Sequence, residues 1–246
     1  MDKNDYIFGI RAVLEAIEAG KEIDKILVKK ELQGALWQEL SDAARAAGIV
    51  MQRVPVERIN RVTRKNHQGV VAFLSAVTYY RLSDVVQGLY ENGRTPFIVL
   101  LDGITDVRNF GAIARTCECA GADAIVLPAH GSVSVNADAV KTSAGALLSL
   151  PVCRERSIQE AVRYLHDSGF AVIAASEKSA KLYTEADYSV PVALVMGAED
   201  TGVSAAVLRQ CDEMVAIPML GKIGSLNVSV AAGVMIYEVL RQRGTR

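Results

Sequence analysis

The residues best suited to chemistry lie in loops that follow short apolar segments, and the clearest of these loops spans residues 217–227. It holds Pro218, Ser225, Asn227 and two glycines, which permit φ > 0 or a close approach of another backbone. Proline ends the strand by withholding an N–H, and Ser225 or Asn227 can cap the helix that follows. Free backbone amides at a helix start suit a nucleotide-like ligand. On pattern alone, the segment is equally well explained as an ordinary strand-to-helix turn.

Two other predicted strand ends carry polar residues in comparable positions. After the first strand of the second half, Asn109 can cap a helix, and Arg115 lies six residues further along that helix. The fourth strand of this half is followed by Gly197 and Glu199. Ligands of parallel sheets bind at the carboxyl ends of the strands. We therefore expect these loops to lie beside a ligand.

The elements that position these loops form two α/β blocks with a linker between them. The first block covers residues 1–76, and its apolar spacing predicts helices over 9–19, 36–47 and 55–61 and strands over 23–28, 49–54 and 69–74. Residues 77–95 are polar and mixed, and we interpret them as a linker with room for a short helix over 83–90.

The second block covers residues 96–246 and alternates short apolar runs with helical patterns. The runs predict strands over 97–101, 124–127, 171–175, 192–196 and 214–217. Helices are predicted over 111–120, 135–147, 157–167, 203–210 and 226–243. Continuous apolar runs are typical of parallel strands buried on both faces, so the block is predicted to be a doubly wound α/β domain.

The composition is that of a globular protein with a substantial core. Half of the residues are hydrophobic, 22% are charged, and the formal net charge is -1. No apolar run approaches the roughly 20 residues of a membrane helix, and the polar residues 1–5 lack the apolar region of a signal peptide. The four cysteines and three histidines show no metal-ligand spacing. We expect a cytoplasmic protein with reduced thiols, no metal and no membrane partner.

Two common nucleotide-binding motifs are missing from the sequence. No GxGxxG follows the first strand of the second block, which argues against an ordinary dinucleotide-dependent oxidoreductase or class I methyltransferase. Lys222 follows Gly221 but precedes Ile223 rather than Ser or Thr, so the segment is not a P-loop.

Taken together, the three strand ends resemble the SpoU (TrmH) family of the SPOUT superfamily, which contains S-adenosylmethionine-dependent RNA ribose 2'-O-methyltransferases. The resemblance is carried by NFGAIAR at 109–115, by MGAE at 196–199 with Gly202, and by IPM at 217–219 with SLNVS at 225–229 and Tyr237-Glu238. It covers the whole second block. The first block resembles the separate RNA-binding domain of the family, which is similar to the ribosomal protein L30e and L7Ae fold.

The resemblance implies a C-terminal SPOUT α/β domain with a parallel sheet and a deep trefoil knot, which sequence physics alone would not suggest. It also implies a homodimer with each active site at the subunit interface. Gly197, Ile217 and Leu226 would bind S-adenosylmethionine, with Met219 packed nearby. Asn109, Arg115, Glu199, Ser225 and Asn227 would form the catalytic set.

The role of Arg115 has two interpretations. The resemblance assigns it the activation of the ribose hydroxyl, yet arginine effectively never deprotonates in proteins. Arg115 could hold the neighbouring phosphate and stabilise the developing alkoxide as a cation, or a special environment could make its neutral form accessible. We favour the first.

The densest basic run in the chain is predicted to contact RNA phosphates. It consists of Arg58, Arg61, Arg64 and Lys65. If the short helix continues to Lys65, three of these residues share one face, although a solvated helix end would look the same. No aromatic residues are interleaved with the run, so it gives no support to base stacking.

The length and the two-block layout most resemble the branch that methylates a guanosine of bacterial 23S rRNA. Two alternatives stay open: a tRNA 2'-O-methyltransferase of the same family, and an RNA-binding protein with this fold but no activity.

Overall fold

The computed structural model describes residues 6–244, which form two compact units. The boundary falls after Thr78, and the short segment Ser134–Ala137 belongs to the first unit. Residues 1–5 and 245–246, the outer ends of the expected domains, lie outside the described residues.

The first unit is a four-stranded sheet with helices on both faces. Its elements are β1 (Tyr6–Phe8), α1 (Ile10–Glu18), β2 (Ile23–Lys29), α2 (Ala35–Ala46), β3 (Met51–Val54), α3 (Val56–Asn60) and β4 (Val70–Leu74). The strand order is β1-β4-β2-β3, and only β2 and β3 pair in parallel. Because side chains alternate across a strand, Ile26 and Ala72 face helices α1 and α2, whereas Leu27 and Val71 pack with Ile59 of α3.

The second unit is a seven-stranded, entirely parallel sheet in the order β11-β9-β10-β6-β7-β8-β5. Its strands are β5 (Tyr79–Tyr80), β6 (Phe97–Asp102), β7 (Ala124–Pro128), β8 (Val152–Glu155), β9 (Ala171–Ala175), β10 (Val192–Gly197) and β11 (Glu213–Val215). Its helices are α4 (Leu82–Glu91), α5 (Val107–Cys119), α6 (Ala137–Thr142), α7 (Ile158–Asp167), α8 (Ala205–Leu208) and α9 (Val228–Arg243). The predicted class, an α/β chain with a parallel sheet, is confirmed. No helix within residues 6–244 is long and apolar enough to cross a membrane.

The structure contains three strands that the sequence patterns did not reveal. Strands β1 and β5 have only three and two residues, too few to show a period. Strand β8 follows Pro151 and ends in Arg154 and Glu155, so it lacks a long apolar run. In the segment 77–95, the short helix expected over 83–90 is present as α4, and it buries Leu82 and Val86 in the core of the second unit.

Candidate active site

Three polar side chains from distant parts of the chain form a closed hydrogen-bonded triangle in the second unit. Asn109 Nδ2 donates to Glu199 Oε2 at 3.1 Å, and Asn227 Nδ2 donates to Glu199 Oε1 at 3.0 Å. The third side runs from Asn227 Nδ2 to Asn109 Oδ1 at 3.1 Å. A carboxylate offers about four lone-pair sites, so Glu199 keeps acceptor capacity for a ligand hydroxyl.

The structure gives α5 a different helix cap from the predicted one and selects one of the two caps predicted for α9. Asp106, not Asn109, caps α5: its carboxylate accepts from the backbone N–H groups of Arg108 and Asn109 at 2.6 and 3.1 Å. The helix therefore begins at Val107 rather than Gly111, and the side chain of Asn109 is left to bind Glu199. At α9, Asn227 is the cap, through Ser229 N–H at 3.0 Å, and Ser225 does not cap.

A cavity of about 390 Å³ lies beside the triangle, at the carboxyl ends of β9, β10 and β11. Its lining includes every predicted cofactor residue, namely Gly197, Ile217, Met219 and Leu226, together with Glu199 and Ser225. Its volume falls within the roughly 300–1,000 Å³ of small-molecule pockets. Apolar side chains and backbone groups of strand ends share the wall, which suits a ligand with a flat ring and polar substituents.

Gly197 is a place where the fold has no room for a side chain. A Cβ there would lie 2.0 Å from both Gly202 C and Val203 N. Hydrogen bonds hold the backbone around Gly197 in place. The main chains of Ala198 and Gly202 exchange hydrogen bonds of 3.1 and 2.8 Å, and the Asp102 carboxylate accepts from Ser204 N–H at 2.8 Å. In contrast, Gly221 and Gly224 do not have positive φ, and no atom lies within 4 Å of the position that a Cβ would take at either residue. The predicted reasons for these two glycines, a positive φ or the close approach of another backbone, are therefore wrong.

Arg115 lies apart from the cavity and from the triangle. It is exposed on α5, and its guanidinium makes no hydrogen bond or ion pair with any of residues 6–244. Six residues of α-helix separate it from Asn109, which corresponds to roughly 9 Å along the axis and about 120° around it. The fold therefore brings Asn109, Glu199 and Asn227 together and leaves Arg115 pointing to solvent.

Sequence reasoning missed the part of the cavity wall that follows β9. Ser176, Glu177 and Lys178 line the cavity there, and Ser176 is buried. Strand β9 was predicted at its observed position, so its carboxyl end could have been included by the same rule that selected the other strand ends.

The basic run lies in the first unit, and its four residues Arg58, Arg61, Arg64 and Lys65 are exposed. Helix α3 ends at Asn60, so the run does not continue as a helix and the expected common helical face is not formed. The bend after the helix is held by His67, which accepts from Gly69 N–H and contacts Asn60 Oδ1, both at 2.9 Å.

Three buried titratable groups on α5, β8 and α9 have shifted pKa values. Burial raises the pKa of Cys117 far above its usual value and that of Cys153 to about 12, so both thiols stay protonated. Glu238 is buried and accepts from Arg241 and Gln242, and the Arg241 hydrogen bond lowers its pKa. Over residues 6–244, no cluster of three or more metal-ligating side chains occurs.

We expect Glu199→Gln to lower the melting temperature by roughly 2–4 °C, because a loss of about 1 kcal/mol shifts a chain of this size by that amount. A glutamine has a single acceptor oxygen, so one asparagine amide would face the N–H₂ group instead. Calorimetric melting would measure the change. Asp200→Asn is the matched control: it removes the same charge from an exposed neighbour without touching the triangle. Equal melting temperatures for the two variants would contradict the prediction that the triangle stabilises the fold.

Two family models match the chain over most of its length. The model described as "SpoU rRNA Methylase family" matches residues 96–237. The model described as "RNA 2'-O ribose methyltransferase substrate binding" matches residues 6–80. The two matches fall largely on the second and the first unit, respectively.

Similar proteins and structures agree with these matches. YacO of Bacillus subtilis (strain 168), which is assigned to the TrmH family of tRNA/rRNA methyltransferases, is 32% identical over 241 residues, covering 98% of this chain and 97% of its own. The AdoMet-bound rRNA methyltransferase from Sinorhizobium meliloti has a TM-score of 0.61 and 26% identity, covering 98% of this chain and 88% of that chain. The SpoU methyltransferase AviRb from Streptomyces viridochromogenes with AdoMet has a TM-score of 0.60 and 26% identity, covering 97% and 89%.

Proposed function

The chain belongs to the SpoU rRNA methylase family, and on this premise we propose that it transfers a methyl group from S-adenosylmethionine to a ribose 2'-hydroxyl of RNA. Our preferred target is a guanosine of 23S rRNA, because the length and two-unit layout resemble that branch. The observation that carries the proposal is the Asn109–Glu199–Asn227 triangle beside a cavity of suitable size. Family membership also supports the deep trefoil knot expected at the C-terminus. An RNA substrate of this kind is found in the cytoplasm, where we propose the protein acts.

The cavity residues fit this cofactor. Met196, Ile217 and Leu226 offer apolar contact for a purine, while backbone groups beside Gly197 can bind its polar edge. When bound, S-adenosylmethionine supplies an already activated methyl group, so the chemistry requires no metal. The task left to the protein is alignment of the hydroxyl and stabilisation of the charge that develops on it.

The chain's own polar residues can perform this task. Glu199 is held by two amide donors, and it can accept a hydrogen bond from a ribose hydroxyl. Asn109 and Asn227 fix the carboxylate, and the exposed Ser225 adds a hydroxyl on the cavity wall. A guanidinium offers a delocalised positive charge and several N–H donors, so we assign Arg115 to the substrate phosphate and the developing alkoxide.

We further propose that two copies of the chain build each site. Arg115 is exposed and does not line the cavity of its own chain, which supports a role in a partner's site. Apolar side chains are also exposed on α9, which packs against α5, and in the loop before it: Leu220 is fully exposed, and Val230 and Tyr237 on α9 are 53% and 50% exposed. A second copy covering α5 and α9 would remove this area from water.

The basic run supports RNA as the substrate, and its neutralisation should weaken RNA binding. We expect Arg61→Ala combined with Arg64→Ala to reduce the slope of log K against log salt by about 1.4, since each phosphate contact with a single strand contributes about 0.7. Filter binding over a salt series would measure the slope, and calorimetry should show unchanged cofactor affinity. An unchanged RNA affinity at physiological salt would contradict the proposal that the basic run contacts RNA phosphates.

The proposed reaction is tested by transfer of radiolabelled methyl groups to separate pools of large-subunit rRNA, small-subunit rRNA and tRNA that lack 2'-O-methylation. Alkali-resistant linkages in the product would locate the modified ribose. Label in large-subunit rRNA supports the preferred target, and label only in tRNA selects the tRNA branch. Cofactor binding without label in any pool, including assembled ribosomal precursors, would support the RNA-binding alternative.

A further inference from the structure

One sheet face of the first unit brings aromatic and basic side chains together from distant parts of the sequence. Tyr6, Phe73 and Lys25 lie directly opposite one another on β1, β4 and β2. Side chains paired across a ladder point to the same face. The row therefore presents two rings beside one ammonium group, on the face that also carries α3.

The rings and cations of this face are in contact. Lys25 Nζ lies 5.5 Å from the centre of the Phe73 ring and donates to Ser134 Oγ at 2.6 Å. Lys65, from the basic run, lies 5.7 Å from the Phe8 ring. Tyr6, Phe8 and Phe73 are only partly buried. The aromatic residues that the sequence failed to show near the basic run are thus supplied by strands β1 and β4.

A cavity of about 220 Å³ opens at this row. It is lined by Lys25, Leu27, Arg58, Val62, Phe73, Leu74, Ser134 and Asn136. This is below the roughly 300–1,000 Å³ of pockets for drug-sized ligands, so it suits a single planar group. The described lining combines one ring, two cations and two side chains of the kind that can hydrogen-bond a base edge. No carboxylate is part of this described lining, and Asp24 Oδ2 lies 3.9 Å from Lys25 Nζ.

We propose that this cavity takes one unpaired nucleobase of the RNA substrate, stacked on Phe73, with Lys25 and Arg58 contacting the flanking phosphates. Proteins read RNA mainly at unpaired bases stacked on aromatic or arginine planes, and cationic grooves with aromatic platforms bind single strands. The proposal rests on the proposed function, which supplies RNA as the partner. It gives the first unit a base-reading site in addition to a phosphate-contacting patch.

The test compares two labelled probes of equal length: a short oligoadenylate, and an abasic oligomer that keeps the sugars and phosphates. The full-length protein should bind oligoadenylate about 5–100-fold more tightly in fluorescence anisotropy, which corresponds to one stacked base. Phe73→Leu should lose most of this preference, whereas Phe73→Tyr, which keeps a ring, should retain it. Lys25→Gln should reduce the affinity for both probes by the same factor, because it removes a phosphate contact and no base contact.

The matched control is Tyr80→Leu, which removes a half-exposed ring from the second unit and should leave the preference intact. No preference in the unmodified protein, or an unchanged preference in Phe73→Leu, would overturn the proposal. Methyl transfer by the same preparations separates the two hypotheses. If the protein prefers oligoadenylate but transfers no methyl group, only the proposed function is contradicted. If it transfers methyl groups but Phe73→Leu keeps the full preference for oligoadenylate, only the stacking site is contradicted.

Discussion

Replacing Arg115 with alanine is expected to lower the rate of methyl transfer by about 10²–10³-fold while cofactor affinity stays unchanged. The side chain is exposed, lies outside the cavity and has no hydrogen-bonding partner among residues 6–244, so its removal breaks no internal hydrogen bond or ion pair. Single-turnover transfer to RNA would measure the rate, and calorimetry would measure cofactor binding. Arg163→Ala, an exposed arginine on α7, is the matched control and should retain normal activity. Near-normal turnover of Arg115→Ala would remove the role assigned to it.

The same variant can show whether Arg115 acts in its own chain or across a dimer. Co-expression of Arg115→Ala with Gly197→Ala produces mixed dimers, and the assay uses a cofactor concentration too low for Gly197→Ala to bind. If the arginine serves the partner's cavity, each mixed dimer has one intact site, and random pairing of a two-fold dimer restores about a quarter of the activity. If the arginine serves its own cavity, every site in the mixture carries a defect. No recovery would therefore contradict a shared site.

The substitution Gly197→Ala is expected to abolish most cofactor binding. An added Cβ would lie 2.0 Å from Gly202 C and from Val203 N, and both are backbone atoms that no rotamer change can move aside. Overpacking of this kind costs roughly 1–3 kcal/mol or more, which corresponds to about 10–100-fold in affinity if the strain falls on the loop that binds the ligand. Titration calorimetry with S-adenosylmethionine would measure the loss.

A second glycine of the same cavity provides the control. Gly224 also lines the cavity, but it has an ordinary φ, and no atom lies within 4 Å of the position that an added methyl group would take. Gly224→Ala should therefore bind the cofactor within about twofold of the unmodified protein, since an unhindered surface substitution changes stability by at most about 0.5 kcal/mol. If both variants bind equally well, the close approach at Gly197 does not control the site.

The sequence alone was sufficient for the elements that carry the site. Apolar runs such as 192–196 are buried on both faces of a parallel sheet, and this arrangement leaves a continuous hydrophobic pattern that can be recognised locally. Two of the three predicted strand ends, those after β10 and β11, line a single cavity, because parallel strands end at one edge of their sheet. Short elements such as β5 were lost, since two residues cannot display a period.

Only the tertiary structure decided which side chains meet. The position of Asn109 in the sequence predicts a helix cap, yet Asp106 takes that role and Asn109 binds Glu199, 90 residues away. Likewise, the register of β1, β4 and β2 places Tyr6 and Lys25 beside Phe73. Local propensity is set by neighbours in the chain, whereas these contacts depend on strand order and register, which are determined by the packing of the whole core.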